Sequence, residues 1–151
     1  MIGSPLEYLS PVLLLDPDDI EIFATSHSNC LVIGPDPLVD DALTRLTPFF
    51  RYPPAIVSGR HRLNLPLPSR AATFIFRDVG ALTASQQADV ASWLESAPGR
   101  VQVVSTAPTP IWPAVQAQSF LASLYYRLNT LTFPLVDDDD SSVDGGARGR
   151  G

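Results

Sequence analysis

Histidine and cysteine, the residues most often used as nucleophiles, bases and transition-metal ligands, are few and scattered in this 151-residue chain. The two histidines, His27 and His61, lie far apart without a nearby group of ligands, so their spacing is not that of a metal site. Cys30 is the only cysteine, which excludes an intrachain disulfide and a multi-cysteine metal site. Because Cys30 begins an apolar run, we expect a buried, inert thiol. No Gly-x-Ser-x-Gly pattern of a serine nucleophile is present.

The charge of the chain excludes a general nucleic-acid surface. The net charge is −6, and the sequence contains no lysine. Five of the 16 acidic residues and two of the ten arginines follow Val136, so the remaining body carries about −3. A nucleic-acid-binding domain is expected to be basic. No segment is long and apolar enough to cross a bilayer, and the N-terminus lacks the basic residues of a signal peptide, so we expect the cytoplasm.

Hydrophobic patterning predicts one domain in which strands and helices alternate. The apolar runs 30–33, 55–57, 73–76, 101–105 and 130–135 indicate strands, and 18–26, 38–46, 83–95 and 111–128 indicate helices. Thr83 and Gln86 have capping-box spacing, and Ala84, Ala88, Ala91 and Leu94 can share one helix face. This order implies a mostly parallel five-stranded sheet in a three-layer α/β fold.

Three further segments carry weaker signals. Residues 1–17 are rich in proline and leucine and are predicted to be irregular, and residues 58–70 are loop-like. Residues 136–151 (VDDDDSSVDGGARGRG) show no apolar periodicity. Because such a segment cannot bury apolar surface, we expect a core domain over 1–135 and a disordered acidic, glycine-rich tail.

Several motifs, in the correct order, resemble the AAA+ domain of sigma-54-dependent transcriptional activators, the bacterial enhancer-binding proteins. FLASLYYRLNTLTFPL (120–135) is similar to that family's FRxDLYYRLN-like helix and last core strand. TFIFRDVGAL resembles TLFLDEIGEL, CLVIGPDPLVDDAL resembles VLIxGExGxGKEL, and MIGSP resembles IGxSP. VQVVSTA resembles the strand that ends in a threonine–asparagine pair. The resemblance implies a P-loop NTPase-like fold, an AAA+ core.

The resemblance places the family's phosphate loop on Gly34 and the residues after it, but these residues are not suited to binding phosphate. A phosphate loop needs free backbone N–H groups and a lysine that neutralises the outer phosphates. Pro35 and Pro37 lack N–H donors, and the lysine position falls on Asp40, beside Asp41. Aspartates there repel a triphosphate. We expect no bound nucleotide and no other cofactor.

The family's metal-binding acid pair falls on Arg77 and Asp78, where an arginine opposes a cation. Two interpretations stay open: Arg77 and Asp78 form a surface or interfacial ion pair, or Asp40 or Asp41 meets Arg77 across the vacated nucleotide site. The sensor asparagine falls on Ala107.

Of the two arginines that reach a neighbouring subunit's nucleotide in the family, the first falls on Leu121 and the second is Arg127. Arg127 is therefore either the remnant of an arginine finger or a structural contact to a carboxylate or to helix-end carbonyls near the carboxyl edge of the sheet. The apolar residues around it, Leu124, Tyr125, Tyr126 and Leu128, favour burial and the structural role.

Two whole elements of the family pattern are also missing from this sequence. The segment before TFIF is too short for the helical excursion with the GAFTGA loop that touches sigma-54, and no helical lid or helix-turn-helix follows Leu135. The sequence predicts a non-enzymatic AAA+-like module, a regulatory protein partner of activator subunits or of itself, without DNA binding of its own. The alternatives are a residual ATP-binding regulator and a relic that folds without a retained role.

Overall fold

Parallel strands and the helices that follow them form the part of the chain that the computed structural model describes, residues 15–58, 65, 72–96 and 101–135. The helices are α1 (Pro17–Ser26), α2 (Asp36–Leu46), α3 (Ala84–Glu95), α4 (Trp112–Gln116) and α5 (Ala122–Leu128). The strands are β1 (Cys30–Ile33), β2 (Pro54–Ser58), β3 (Ala72–Arg77), β4 (Val101–Ala107) and β5 (Leu131–Pro134). Short 3-10 turns lie at Thr47–Phe49 and Val79–Ala81.

The strands form a single five-stranded sheet in the order β2-β3-β4-β1-β5, and every neighbouring pair is parallel. Cys30 in β1 pairs with Val104 on one side and with Leu131 on the other, so β1 is bonded along both edges. The predicted α/β fold with a parallel five-stranded sheet is confirmed. The adjacent strands β2 and β3 are joined by residues 59–71, close to the minimum length of a parallel crossover.

Alternating side chains of the strands build a hydrophobic core on each face of the sheet. On one face, helices α1 and α2 pack through Phe23, Val39 and Leu46 onto Val32, Val104 and Phe133. On the other face, helices α3, α4 and α5 pack onto the opposite side chains of the same strands. This second core contains Val90, Trp93, Ile111, Leu124 and Leu128 on the helical side and Leu31, Phe74, Phe76 and Val103 on the strands. We call these two helical layers the α1–α2 layer and the α3–α5 layer.

A polar network closes the amino edge of the sheet. The buried amide of Gln102 accepts from the Arg51 N–H at 2.9 Å and from the Thr73 hydroxyl at 2.9 Å, and donates to the Ser28 carbonyl at 3.2 Å. Asn29 accepts from the Val103 N–H at 2.8 Å. Because these groups are out of water, each needs its partner, and together they tie the segments before β1 and β2 to the central strands.

The helix predicted over 111–128 is wrong as a single element, because α4 ends at Gln116 and α5 begins at Ala122. Gln118 lies in the left-handed region at φ 65°, which no continuous helix permits. The buried amide of Gln87 accepts from the Leu121 N–H at 2.8 Å and donates to the Ser119 carbonyl at 3.1 Å. This side chain satisfies the backbone groups that the break exposes.

The remaining boundaries differ by one or two residues, and the Thr83–Gln86 capping box is present. Of the residues predicted to share one face of α3, Ala84 and Ala88 are exposed and Leu94 is buried; the buried residues of the helix are Gln87, Val90, Trp93 and Leu94. The large side chains take the core positions because they bury more apolar area than alanine.

The predicted irregular segment 1–17, except for its last residues, most of the loop 58–70 and the predicted disordered tail 136–151 lie outside the described residues. None of the helices described is both long and apolar enough to span a bilayer.

The Gln102 network yields a stability prediction. Replacing Gln102 with leucine removes the partners of the Arg51 N–H, the Thr73 hydroxyl and the Ser28 carbonyl, so we expect the free energy of unfolding to fall by about 1–3 kcal/mol. The exposed Gln116 provides the control, because Gln116→Leu is expected to change stability by less than about 0.5 kcal/mol. Urea denaturation measures both variants. Equal effects of the two substitutions would contradict the assigned role of the network.

Candidate functional site

The carboxyl ends of β1 and β4 lie side by side at the point where the chain leaves the sheet in opposite directions. Helix α2 follows β1 into one layer, and α4 and α5 follow β4 into the other. In open α/β sheets, ligands bind in the crevice at such a switch point. The sequence-predicted site residues Gly34, Asp40, Arg77, Asp78 and Ala107 all lie at this edge.

Gly34 closes the space between the strand ends. Its N–H donates to the Ala107 carbonyl at 2.9 Å, and the Leu135 N–H donates to the Ile33 carbonyl at 2.8 Å, so strand pairing continues to the last residue before the turn. A Cβ at Gly34 would lie 3.0 Å from the Cβ of Leu135. A residue without a Cβ is therefore favoured here, because Leu135, directly after β5, approaches so closely.

The connection from β1 to α2 consists of Gly34 and Pro35 alone. The predicted start of this helix at residue 38 is therefore corrected to Asp36, with Pro35 at the N-cap and Pro37 in the first turn. Proline is favoured there because its fixed φ suits the first turn and its missing N–H is not needed. Asp36, Asp40 and Asp41 thus lie in a helix, and the described chain forms no loop that could wrap around a phosphate.

Arg77 lies at the end of β3 and meets the acidic start of α2. Its Nη1 lies 2.8 Å from Oδ1 of Asp40, and its Nη2 lies 3.6 Å from Oδ1 of Asp36. The two aspartates are four residues apart, which puts them on the same helix face. Of Asp40 and Asp41, the two partners of Arg77 considered from the sequence, Asp40 makes the contact. The sequence did not predict Asp36 as a second partner, because the helix was expected to begin only at residue 38.

The positive charge of Arg77 is compensated by aspartates at this edge. The Arg77 side chain is 30% exposed, and the Asp40 and Asp36 side chains are 63% and 82% exposed. The arginine occupies the position at which the family's metal-binding acid was expected, and its guanidinium is held by two carboxylates. Such a group disfavours a divalent cation, and the carboxylates disfavour a phosphate.

Asp78, Thr106 and Ala107 form the second part of this edge. Asp78 adopts the left-handed conformation, with φ 58°, and its N–H donates to the Thr106 hydroxyl oxygen at 2.9 Å. Aspartate tolerates this conformation better than most residues. Ala107, at the sensor position, is buried and has no polar side chain. The Thr106 hydroxyl therefore supports the turn after β3, and its neighbour Ala107 offers nothing that could orient a water.

Arg127 lies at the opposite, amino edge of the sheet, so the expected position at the carboxyl edge is wrong. The Asn29 amide donates to the Arg127 carbonyl at 2.9 Å, just before β1 begins. The side chain of Arg127 is 46% exposed, and its Nη2 lies 3.7 Å from Oε2 of Glu95. In α5 the core positions belong to Leu124 and Leu128, one turn apart, and the arginine therefore faces outward.

Other candidate groups take no part in this edge. Cys30 is fully buried, and burial raises the pKa of its thiol far above the ordinary range, in agreement with an inert thiol. His27 caps the end of α1 in the left-handed conformation. His61 lies outside the described residues, among which no group of three metal-ligating side chains occurs.

The sequence itself falls into a known family. A family profile described as the Sigma-54 interaction domain matches residues 56–137, more than half of the chain. The protein therefore belongs to the sigma-54 interaction domain family, and the resemblance drawn from its motifs is confirmed. The match begins in β2 and does not include Gly34 to Asp41. No curated protein matches the sequence.

Solved structures share the fold at low identity. NtrX from Brucella abortus, crystallised in complex with ATP, is 13% identical with a TM-score of 0.60, and the match covers 86% of this chain and 38% of NtrX. Its complex with ADP gives a TM-score of 0.61 at 13% identity, with coverages of 86% and 37%. The chain thus spans less than two fifths of the length of NtrX. The P-loop NTPase domain of a sigma-54 transport activator from E. coli gives a TM-score of 0.52 at 15% identity, covering 78% of this chain and 93% of that domain.

The Arg77–Asp40 contact predicts a measurable coupling. In a double-mutant cycle with Arg77→Ala and Asp40→Ala, we expect a coupling free energy of about 0.2–1 kcal/mol, because both side chains retain contact with solvent. The cycle of Arg77→Ala with Asp41→Ala is the control and is expected to give a coupling close to zero. Denaturant unfolding at low salt measures both cycles. A coupling of Asp41 as large as that of Asp40 would contradict the assignment.

Arg127 is predicted to contribute little to stability. Because its ion pair with Glu95 is exposed, Arg127→Ala is expected to lower the free energy of unfolding by less than about 1 kcal/mol. The buried neighbour Leu124 gives the contrast: Leu124→Ala is expected to cost about 2–5 kcal/mol. Thermal and urea denaturation compare the two. If Arg127→Ala lowered the free energy of unfolding nearly as much as Leu124→Ala, the structural role favoured by the sequence would be supported instead.

Proposed function

We propose that this domain is a non-catalytic member of its family that acts through protein contacts in bacterial transcription control. The observation that supports this most directly is the direct passage from β1 into α2 through Gly34 and Pro35. A phosphate loop binds by surrounding the phosphate with backbone N–H groups, and here the same residues are helical. The proposal therefore includes the absence of ATP hydrolysis, of a bound nucleotide and of a metal ion.

The electrostatics of the edge support the same proposal. Arg77 with Asp36 and Asp40 replaces both the charge of a phosphate-binding lysine and the charge of a metal-binding acid by an internal ion pair. Ala107 supplies no sensor group. Each of these changes removes a different requirement of phosphoryl transfer: phosphate binding, metal binding and positioning of water.

The partner in this proposal is a protein, either activator subunits of the same family or a second copy of this chain. Arg127 and Leu121, which the resemblance places at the positions of the family's two trans-acting arginines, are both exposed. The acidic character of the chain supports a role without direct DNA contact, in the cytoplasm. We propose further that the acidic tail after residue 135 is not part of the folded core.

Calorimetric titration with Mg-ATP tests the proposal. We expect no saturable heat at about 1 mM Mg-ATP, since neither a phosphate loop nor a metal-binding acid pair is present. NtrX from Brucella abortus, which has been crystallised with ATP, is the positive control. Magnesium-dependent binding in the micromolar range would overturn the proposal and favour a residual ATP-binding regulator.

The double variant Asp40→Lys with Arg77→Asp then separates charge from backbone geometry. It restores the charges of the family pattern but leaves the helix start at Asp36. If the absence of a phosphate loop is what prevents Mg-ATP binding, this variant also shows no saturable heat. Recovery of Mg-ATP binding would show that the backbone can still form the site, which would contradict the geometric argument.

A further inference from the structure

We draw no further inference here: the strongest candidate, the surface patch of exposed aromatic side chains that Trp112 of α4 and Tyr126 of α5 form, carries none because nothing in the structure shows what covers it.

Discussion

The close contact between Gly34 and the strand ends on either side is the constraint on which the candidate site depends. Its N–H bonds to the Ala107 carbonyl, and Leu135 approaches the position of its missing Cβ. With β1 held between β4 and β5 up to this residue, the chain must turn at once, and Pro35 directs it into α2. A loop that encloses phosphate needs several residues between the strand and the helix, and here only Gly34 and Pro35 connect them.

The ion pair of Arg77 follows from this geometry. Because α2 begins so early, Asp36 and Asp40 lie one turn apart at the mouth of the former crevice, and the end of β3 brings the arginine to them. The pair adds little to stability, since the acids are largely exposed. Its effect is electrostatic: the carboxylates of Asp36 and Asp40 compensate the charge of the Arg77 guanidinium at the carboxyl edge of the sheet.

The apolar side chains are divided between a buried core and a surface that the core does not use. In helix α5, Leu124 and Leu128 are buried and Tyr125 packs partly against the core, whereas Tyr126 is exposed, as is Trp112 of α4. The break between α4 and α5, held by Gln87, sets the position of this aromatic group.

The sequence by itself determined the strands, the capping box of α3, the parallel α/β class and the family, because these depend on local periodicity and on motifs read in order. It also led to the expectation that Asp40, Arg77 and Ala107 stand at the family's lysine, metal-binding acid and sensor positions. Only the tertiary structure decided the start of α2, the break after α4, the choice of Asp40 as the partner of Arg77 and the exposure of Arg127. These depend on contacts between residues distant in the chain: Gly34 with Ala107, Gln87 with Leu121, and Asn29 with the end of α5. Local propensity carries no information about such contacts.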